Sequence, residues 1–333
     1  MDGVNTSMSM SMSRNDQYDS TGFALVFPGQ GSQSVGMMQA WSDVPVVRDT
    51  FVQASDALGE NLWQMVTEGP LETLNLTVNT QPAMLAADVA IFRAWREQGG
   101  AMPAVTAGHS LGEYAALVVA GALDFSDALR LVRLRADLMQ SAVPENTGAM
   151  AAILGLDDVT VRAVCQEAAE HLVLEAVNYN SPGQVVIAGH RLAVERGMAL
   201  AKERGAKRAL LLPVSVPSHC ALMRPAAQTL AGALAEVAVS VPVIPVLHNA
   251  DVAAYRDPQQ IRDALARQLY SPVRWVETVA KMASDGVVQV AECGPGKVLA
   301  GLMKRIEADM QVVALTTPAS LQELSECLLK QEA

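Results

Sequence analysis

The sequence is poor in cysteine, in aromatic residues and in positive charge. Its 333 residues include only 4 cysteines and 4% aromatic residues, and 24 Lys and Arg stand against 35 Asp and Glu, for a net charge of −11. The cysteines lie far apart without a Cys-x-x-Cys spacing, which argues against a zinc site or a disulfide framework and favours a reducing cytoplasm. The deficit of Lys and Arg argues against nucleic-acid binding, since phosphate contacts need clustered positive charge.

Long apolar runs are missing as well. No stretch approaches the roughly 18 consecutive apolar residues of a membrane-spanning helix, so we expect no membrane segment. Residues 1–20 are rich in Met, Ser and Asp and lack the apolar centre of a signal peptide, and we expect them to form a disordered extension outside the fold. Half of the chain is nonetheless hydrophobic, which is enough for a large buried core.

Apolar runs and helical patterns alternate over most of the chain. Runs at 23–27 and 104–108 predict buried strands, and each ends in a glycine-containing loop. Helical patterns cover 44–98, with a break near Gly69 and Pro70, then 113–120 and 126–141, where Ser126 is the expected cap. A strand over 287–292 and a helix from 297 follow near the end, which together predict an α/β domain.

Residues 147–215 show a different order of elements. The patterns predict strands at 149–156, 172–179, 184–188 and 209–216, with helices at 157–171 and 192–204. Strand-helix-strand-strand-helix-strand is the order of a ferredoxin-like unit. We therefore predict a large α/β-hydrolase-like domain with a parallel sheet core, built from 21–146 and 216–333, into which a small ferredoxin-like subdomain is inserted at 147–215.

A candidate nucleophile lies between the second predicted strand and its helix. Gly-His-Ser-Leu-Gly at 108–112 fits the G-x-S-x-G pattern, in which flanking glycines allow a sharp turn that exposes the hydroxyl of Ser110. The following helix directs free N–H groups to the same place, which suits a developing oxyanion. The pattern alone indicates acyl transfer or hydrolysis, and an ordinary Gly/Ser turn is the alternative.

Five motifs occur in a fixed order along the chain: Phe-Pro-Gly-Gln-Gly-Ser-Gln at 27–33, Gly-His-Ser-Leu-Gly-Glu at 108–113, Asn-Ser-Pro-Gly-Gln at 180–184, Pro-Ser-His at 217–219 and Gly-Pro-Gly at 294–296. From about residue 23 onward the sequence resembles the malonyl-CoA:acyl carrier protein transacylases of bacterial fatty acid synthesis and the acyltransferase domains of polyketide synthases. The resemblance implies transfer of malonyl from coenzyme A, through an ester on Ser110, to the phosphopantetheine thiol of an acyl carrier protein. It also implies no cofactor and no metal, and we expect a cytoplasmic monomer.

Ser110 needs a base, and the chain offers five histidines. His219 follows a predicted strand and precedes a helix, which is where α/β enzymes place catalytic groups, although a lone histidine is more often structural. The resemblance assigns His219 as the base of a Ser-His dyad and a backbone carbonyl near Gln268 as the group that orients it. A helix-terminal polar cap is the alternative for Gln268. His109, inside the elbow, is expected to point away from Ser110.

Three arginines lie on the predicted helix 126–141 at helical spacing. Arg130 and Arg133 have polar neighbours three and four residues away and are expected to be solvated, whereas Arg135 points from the apolar stripe. A buried guanidinium without an anion is unfavourable, so Arg135 must meet a protein carboxylate, a substrate or a solvated cleft. The resemblance implies that it binds the free carboxylate of malonate through paired hydrogen bonds.

The resemblance also assigns the oxyanion hole to the N–H groups of Gln30 and Leu111, with a tight turn as the alternative for the first loop. Asn180, expected on a loop of the inserted unit, either lines the cleft between the domains or forms a turn.

An acidic carrier requires a local basic patch on this acidic chain. Lys207 and Arg208, together with Lys202 and Arg204, are the first candidate for that patch. A second cluster follows, which consists of Lys297, Lys304 and Arg305. Solvated faces are the alternative for both clusters.

Three other functions share parts of this sequence pattern. A serine thioesterase or hydrolase has the same elbow and histidine, and the malonyltransferase subunit of a malonate decarboxylase uses the same chemistry on another carrier. A non-catalytic carrier-binding module would lack an ester on Ser110. The presence of every chemical group that the resemblance requires argues against the last of these.

Overall fold

The computed structural model describes residues 22–144, 146–214 and 216–331, so the extension predicted over 1–20 lies outside the described residues. In this part of the chain the strands are β1 (Ala24–Phe27), β2 (Val105–Gly108), β3 (Gly148–Leu154), β4 (Leu174–Ser181), β5 (Gln184–His190), β6 (Arg208–Leu211), β7 (Val246–Leu247), β8 (Gln289–Glu292) and β9 (Gln311–Ala314).

The helices of the same residues, numbered along the chain, are α1 (Pro45–Leu58), α2 (Leu62–Glu68), α3 (Leu71–Leu74), α4 (Thr77–Glu97), α5 (Gly112–Val119), α6 (Phe125–Ser141), α7 (Asp158–Ala169), α8 (Arg191–Glu203), α9 (Arg224–Glu236), α10 (Pro258–Gln268), α11 (Trp275–Ser284), α12 (Val298–Ile306) and α13 (Pro318–Gln331). Short 3-10 helices cover Gln39–Trp41 and Ala221–Met223.

The larger sheet is parallel and buried on both faces. Its strand order is β7-β2-β1-β8-β9, and each neighbouring pair runs in the same direction. In β1, Leu25 and Phe27 pack into the apolar cluster that contains α4, whereas Val26 packs on the opposite face with α11 and α12. Burial on both faces explains why these strands are short continuous apolar runs, and the prediction of a parallel core is confirmed.

The smaller sheet is antiparallel and has the order β4-β5-β3-β6. Helices α7 and α8 cover one of its faces, and its other face, which includes Met150 and Val186, lies against Cys220 of the larger domain. Order and connectivity are those of a ferredoxin-like unit, as predicted. The strands run from Gly148 to Leu211, within the predicted insertion, while the domain limits themselves stay a prediction.

Two local expectations are wrong. The cap of α6 is Asp124, whose carboxylate accepts hydrogen bonds from the N–H groups of Ser126 at 2.8 Å and Asp127 at 3.1 Å, so Ser126 is already inside the helix. The strand expected over 209–216 ends at Leu211, because Pro213 has no N–H to offer a ladder and the chain leaves the sheet there. Among the described helices, none combines the length and apolar character that crossing a bilayer requires.

Candidate active site

The predicted nucleophile lies on a sharp turn between β2 and α5. Ser110 has a φ of 52°, in the left-handed region, which costs a residue other than glycine of order 1–2 kcal/mol. Gly112 lets the turn pack against the end of β1, since a Cβ atom at this position would overlap the carbonyl oxygen of Phe27. The strain and the close packing together hold the Ser110 hydroxyl at the carboxyl edge of the parallel sheet.

Asn249 braces this turn and was missed in the sequence analysis. Its Oδ1 accepts the N–H of Ser110 at 2.7 Å, and its Nδ2 donates to the carbonyl oxygen of Gly108 at 2.6 Å. Its own N–H donates to Glu113 at 2.9 Å. Asn249 follows β7, the neighbour of β2, so the rule that site residues gather where adjacent parallel strands end could have found it.

His219 lies within hydrogen-bond distance of the nucleophile. Its Nε2 is 2.8 Å from Oγ of Ser110, and its Nδ1 is 2.8 Å from the carbonyl oxygen of Gln268. Because a carbonyl can only accept, Nδ1 carries the proton and Nε2 presents its lone pair to Ser110. Burial, followed by the positive charge of Arg135, lowers the pKa of His219 to about 3. The imidazole is therefore neutral at neutral pH and able to accept a proton.

Arg135 is 1% exposed and enters the site beside the dyad. Its Nη1 donates to Oε1 of Gln81 at 2.7 Å, and its Nη2 donates to Oε1 of Gln268 at 3.0 Å and to Oγ of Ser110 at 3.2 Å. Among the described residues no carboxylate forms an ion pair with Arg135, and its Nε has no acceptor. Burial lowers the pKa of Arg135, yet an arginine stays a cation. Among the described residues, Arg135 is therefore not part of a structural ion pair, which was the alternative.

Gln268 is the last residue of α10, and its side chain is buried rather than capping the helix. Its Nε2 donates to the carbonyl oxygen of Ser110 and to Oε2 of Glu113, both at 2.9 Å. Glu113 also accepts from Nδ1 of His248 at 2.7 Å. Gln268 thus contacts the nucleophile, the base and the arginine, which is a wider contact set than the backbone carbonyl that the sequence analysis assigned to it.

A cavity of about 360 Å³ opens between the two domains above these residues. Ser110, His219 and Arg135 line this cavity. Its wall also contains polar side chains such as Asn180 and apolar side chains of the smaller sheet and of α12, among them Met150 and Leu302. The volume is in the range of sites for small ligands.

The first loop contacts the elbow at the cavity. A Cβ atom on Gly29 would lie 2.5 Å from the carbonyl oxygen of His109 and 3.6 Å from the amide nitrogen of Leu111. Gln30 and Leu111 both line the cavity, and within the described part of the chain neither backbone N–H has an acceptor. Two unused donors beside the nucleophile fit the predicted oxyanion hole, whose catalytic role stays a prediction.

His109 connects the elbow to the inserted unit. Its Nε2 is 2.8 Å from Oδ1 of Asn180, and its ring packs edge to face on Trp275 with 5.5 Å between centroids. Burial lowers the pKa of His109, and the hydrogen bond that His109 donates to Asn180 opposes that shift. Asn180 lies on β4 rather than on a loop, which corrects the expectation, and it does line the cavity.

Two predictions about charged residues have different outcomes. Arg130 is exposed and pairs with Asp127, but Arg133 is not simply solvated, since it donates twice to Glu60 at 2.6 Å. The distant Glu60 lies outside the reach of any sequence pattern around Arg133.

Lys207 and Arg208 are exposed and are not brought to the cavity. They lie at the end of β6 that pairs with Leu154, whereas the cavity begins near Leu212, about 13 Å further along the strand. In the second cluster, Lys297 directly precedes α12, a helix that lines the cavity.

Comparison with known proteins agrees with this geometry. Residues 24–318 match the acyl transferase domain family. The chain is 59% identical over 309 residues to the malonyl CoA-acyl carrier protein transacylase of Haemophilus influenzae, an alignment that covers 92% of this chain and 99% of the relative. It is 57% identical over 302 residues to that of Escherichia coli, with coverages of 90% and 98%. The chain belongs to the malonyl-CoA:acyl carrier protein transacylase family.

Solved structures of this family have the same fold. An acyl-carrier-protein S-malonyltransferase from Burkholderia pseudomallei superposes with a TM-score of 0.90 at 58% identity, covering 91% of this chain and 99% of that one. A malonyl-transacylase in complex with the acyl carrier protein of a type II polyketide synthase gives a TM-score of 0.91 at 54% identity, with coverages of 92% and 99%. The protein is an acyltransferase, and the resemblance drawn from five motifs is confirmed.

Proposed function

We propose that the protein transfers the malonyl group of malonyl-CoA to the phosphopantetheine thiol of an acyl carrier protein. The product, malonyl-acyl carrier protein, is the substrate supplied for fatty acid synthesis. One observation carries this function. The guanidinium of Arg135 is buried, has no carboxylate partner among the residues that the structure describes, and lies 3.2 Å from the hydroxyl of Ser110. A single methylene separates the two carbonyl carbons of a malonyl thioester, so a carboxylate bound to Arg135 brings the thioester carbon to Ser110.

In the first half-reaction, Ser110 becomes acylated. His219 accepts the hydroxyl proton at Nε2 while Oγ bonds to the thioester carbon, and the carbonyl electron pair moves to the oxygen. The N–H groups of Gln30 and Leu111 donate to that oxyanion. The C–S bond then breaks, the leaving sulfur of coenzyme A takes the proton from His219, and a malonyl ester remains on Ser110.

The second half-reaction runs the same steps with another thiol. The carrier thiol gives its proton to His219, and its sulfur bonds to the ester carbon. The C–O bond breaks, and Oγ of Ser110 recovers the proton. One thioester is exchanged for another, so we propose that no metal and no redox cofactor takes part.

Electrostatics favour a malonyl group over an acetyl group in two ways. The charge of Arg135 contributes to the low pKa of His219, and a bound carboxylate offsets that charge, so substrate binding makes His219 a stronger base. An acetyl group leaves the charge uncompensated and Nε of Arg135 without an acceptor.

The partner is an acyl carrier protein, as in the complex of the related malonyl-transacylase. We propose that the second basic cluster forms part of the docking surface. Lys304 and Arg305 are exposed in the last turn of α12, whose residues Val298 and Leu302 line the cavity. A carrier that contacts this turn can deliver a flexible arm directly to the cavity. Lys207 and Arg208 remain the more distant candidate.

A thioesterase is the main rival, because it uses the same dyad. Both enzymes form an ester on Ser110, but only a thioesterase passes that ester to water without an acceptor. The subunit of a malonate decarboxylase differs in the carrier that it accepts. Whether the ester needs an acceptor, and which carrier it accepts, therefore separates the proposed transferase from a thioesterase and from a malonate decarboxylase subunit.

Intact-mass analysis after brief exposure to malonyl-CoA tests the proposal. We expect the mass to rise by one malonyl group in the wild-type protein and to stay unchanged in Ser110→Ala. Without acceptor, release of coenzyme A should stop after about one equivalent, and acyl carrier protein should restart it. Sustained release of coenzyme A without acceptor, or a malonyl mass increase in Ser110→Ala, would contradict the assignment.

A further inference from the structure

Hydrogen bonds run from Arg135 to the first loop of the site in an unbroken chain. Nη1 of Arg135 donates to Oε1 of Gln81 at 2.7 Å, and Nε2 of Gln81 lies 3.1 Å from Oγ1 of Thr77. The Thr77 hydroxyl in turn lies 2.9 Å from Oε1 of Gln30. All four side chains line the cavity, and Gln30 also carries one of the proposed oxyanion donors.

The arginine fixes the direction of every bond in this chain. A guanidinium can only donate, so Gln81 must turn Oε1 towards it and its NH₂ group towards Thr77. The hydroxyl of Thr77 accepts from that NH₂ group, and its own proton is left for Gln30. Gln30 must therefore present its oxygen to Thr77.

Thr77 is much more rigidly placed than the residue it contacts. It is the first residue of α4, is 7% exposed, and lies one helical turn before Gln81 on the same face. Gln30 is exposed on a loop, and among the described residues its side chain makes no other hydrogen bond. Gln33 donates to Asn75 at 2.9 Å and accepts the N–H of Gly31 at 2.7 Å, so it holds the peptide that follows Gln30 but not the side chain of Gln30.

We propose that Thr77 is a positioning residue for malonyl transfer, whose hydroxyl holds Gln30 so that the backbone N–H of Gln30 points at the oxyanion. The inference rests on the proposed function and deepens it. Through Gln81, the same hydroxyl links the group that binds the carboxylate to the group that stabilises the developing charge. Loss of this link destabilises the transition state for acylation and leaves the affinity for malonyl-CoA nearly unchanged.

The test compares Thr77→Val with Thr77→Ser in single-turnover acylation of Ser110. Valine replaces the hydroxyl by a methyl group of similar size, and serine keeps the hydroxyl. We expect Thr77→Val to lower the limiting rate about 10-fold with the half-saturating malonyl-CoA concentration changed less than about twofold. Thr77→Ser should recover most of the rate. Equal losses in both variants, or a change confined to half-saturation, would overturn the inference.

Two further variants separate positioning from stability. Thr80→Val removes another buried hydroxyl of α4, one that bonds the carbonyl oxygen of Leu74 and does not line the cavity, so it should lower Tm without lowering the limiting rate. Gln30→Ala keeps the backbone donor but removes the contact with Thr77, and it should reproduce the loss of rate even if Thr77→Val folds poorly. A Gln30→Ala variant with the wild-type rate contradicts the inference.

The double variant Thr77→Val/Gln30→Ala should be no slower than Thr77→Val alone, because Thr77→Val already removes the contact with Gln30. If the rate losses of the two single variants multiply in the double variant, Thr77 does not act through Gln30. If the wild-type protein forms no malonyl ester on Ser110, the proposed function itself fails. If the ester forms and Thr77→Val behaves as the wild type, only the role of Thr77 is lost.

Discussion

The ring of His219 is oriented by a main-chain group, since its Nδ1 donates to the carbonyl oxygen of Gln268 at 2.8 Å. A neutral acceptor fixes the tautomer but supplies much less stabilisation to the imidazolium than a carboxylate would. Burial and the nearby cation of Arg135 therefore decide the pKa, which falls to about 3. The base of this site is therefore neutral at neutral pH.

This low pKa predicts an unusual pH profile. His219 acts only when neutral, so kcat/KM should stay nearly constant from pH 7 to pH 5, whereas an unperturbed histidine would lose about 25-fold over the same range. The profile should be measured with malonyl-pantetheine, which lacks the phosphates of coenzyme A. Circular dichroism at each pH controls for unfolding. A decline with its midpoint near pH 6.5 would show that the free imidazole is not perturbed.

Arg135 should decide between malonyl and acetyl groups. Arg135→Ala and Arg135→Lys are expected to lower kcat/KM for malonyl-CoA by about 10²-fold or more, because a lysine cannot form the paired hydrogen bonds and alanine offers no charge. Acetyl-CoA, which has no carboxylate to bind, should lose far less. The ratio of the two kcat/KM values in each variant is the readout, and an equal loss for both acyl groups contradicts the role of Arg135.

Asn249 should matter for rate as well as for stability. Asn249→Ala removes the hydrogen bonds to the N–H of Ser110 at 2.7 Å and to the carbonyl oxygen of Gly108 at 2.6 Å, and it releases a strained turn. We expect the free energy of unfolding to fall by about 1–3 kcal/mol and the acylation rate to fall about 10-fold or more. Asn249→Asp keeps the acceptor for the N–H of Ser110 but loses the donor to Gly108. A wild-type acylation rate in Asn249→Ala would mean that the turn holds its shape unaided.

The two basic clusters can be compared by charge reversal. Lys304→Glu/Arg305→Glu should raise the KM for acyl carrier protein about 10-fold, since both side chains are exposed in the last turn of a helix that lines the cavity, and Lys207→Glu/Arg208→Glu should raise it less. Free pantetheine, an uncharged acceptor, should be used equally well by both variants. If only Lys207→Glu/Arg208→Glu raises the KM for acyl carrier protein, docking takes place on the inserted unit.

A buried acid behind the site predicts a pH-dependent stability. Asp88 on α4 is fully buried, and neither carboxylate oxygen has a hydrogen-bond partner among the described residues. Burial, followed by the charge of Glu292, raises the pKa of Asp88 well above its usual value. Because the folded pKa is raised, the contribution of Asp88 to stability is fully present below the unfolded pKa, near 3.8, and is lost as the pH rises through the folded pKa.

Asp88→Asn, which cannot ionise, should therefore raise Tm at pH 8 and change it little near pH 4. Thermal melts of both proteins at the two pH values test this, and Asp49→Asn, an exposed site, is the matched control. An equal shift of Tm at both pH values would point to altered packing rather than to ionisation.

Much of the fold was predictable because it depends on local sequence patterns. Short apolar strands such as β1, the elbow around Ser110 and the strand order of the insertion each depend on a few neighbouring residues. His219 and Arg135 were found by the resemblance, and Arg135 also by its place on an apolar stripe. The structure brings both to Ser110.

Contacts between distant segments that no motif marks could not be predicted. Asn249 reaches Ser110 across 139 positions, and no motif marks it, so only its place after β7 could have pointed to it. The pairing of Arg133 with Glu60 and the place of Asn180 on a strand depend likewise on how whole elements pack. The side-chain contacts of Gln268 have the same origin, since the end of α10 meets the elbow only in the complete fold.

The order of the site residues along the chain has a consequence for synthesis. The base follows the nucleophile by 109 positions, and the inserted sheet, from Gly148 to Leu211, lies between them. On the ribosome, Ser110 emerges long before His219 and the segment that orients it. The nascent hydroxyl has no neighbour to activate it, so an unfinished chain stays inert towards the thioesters of the cell until its last third has been made.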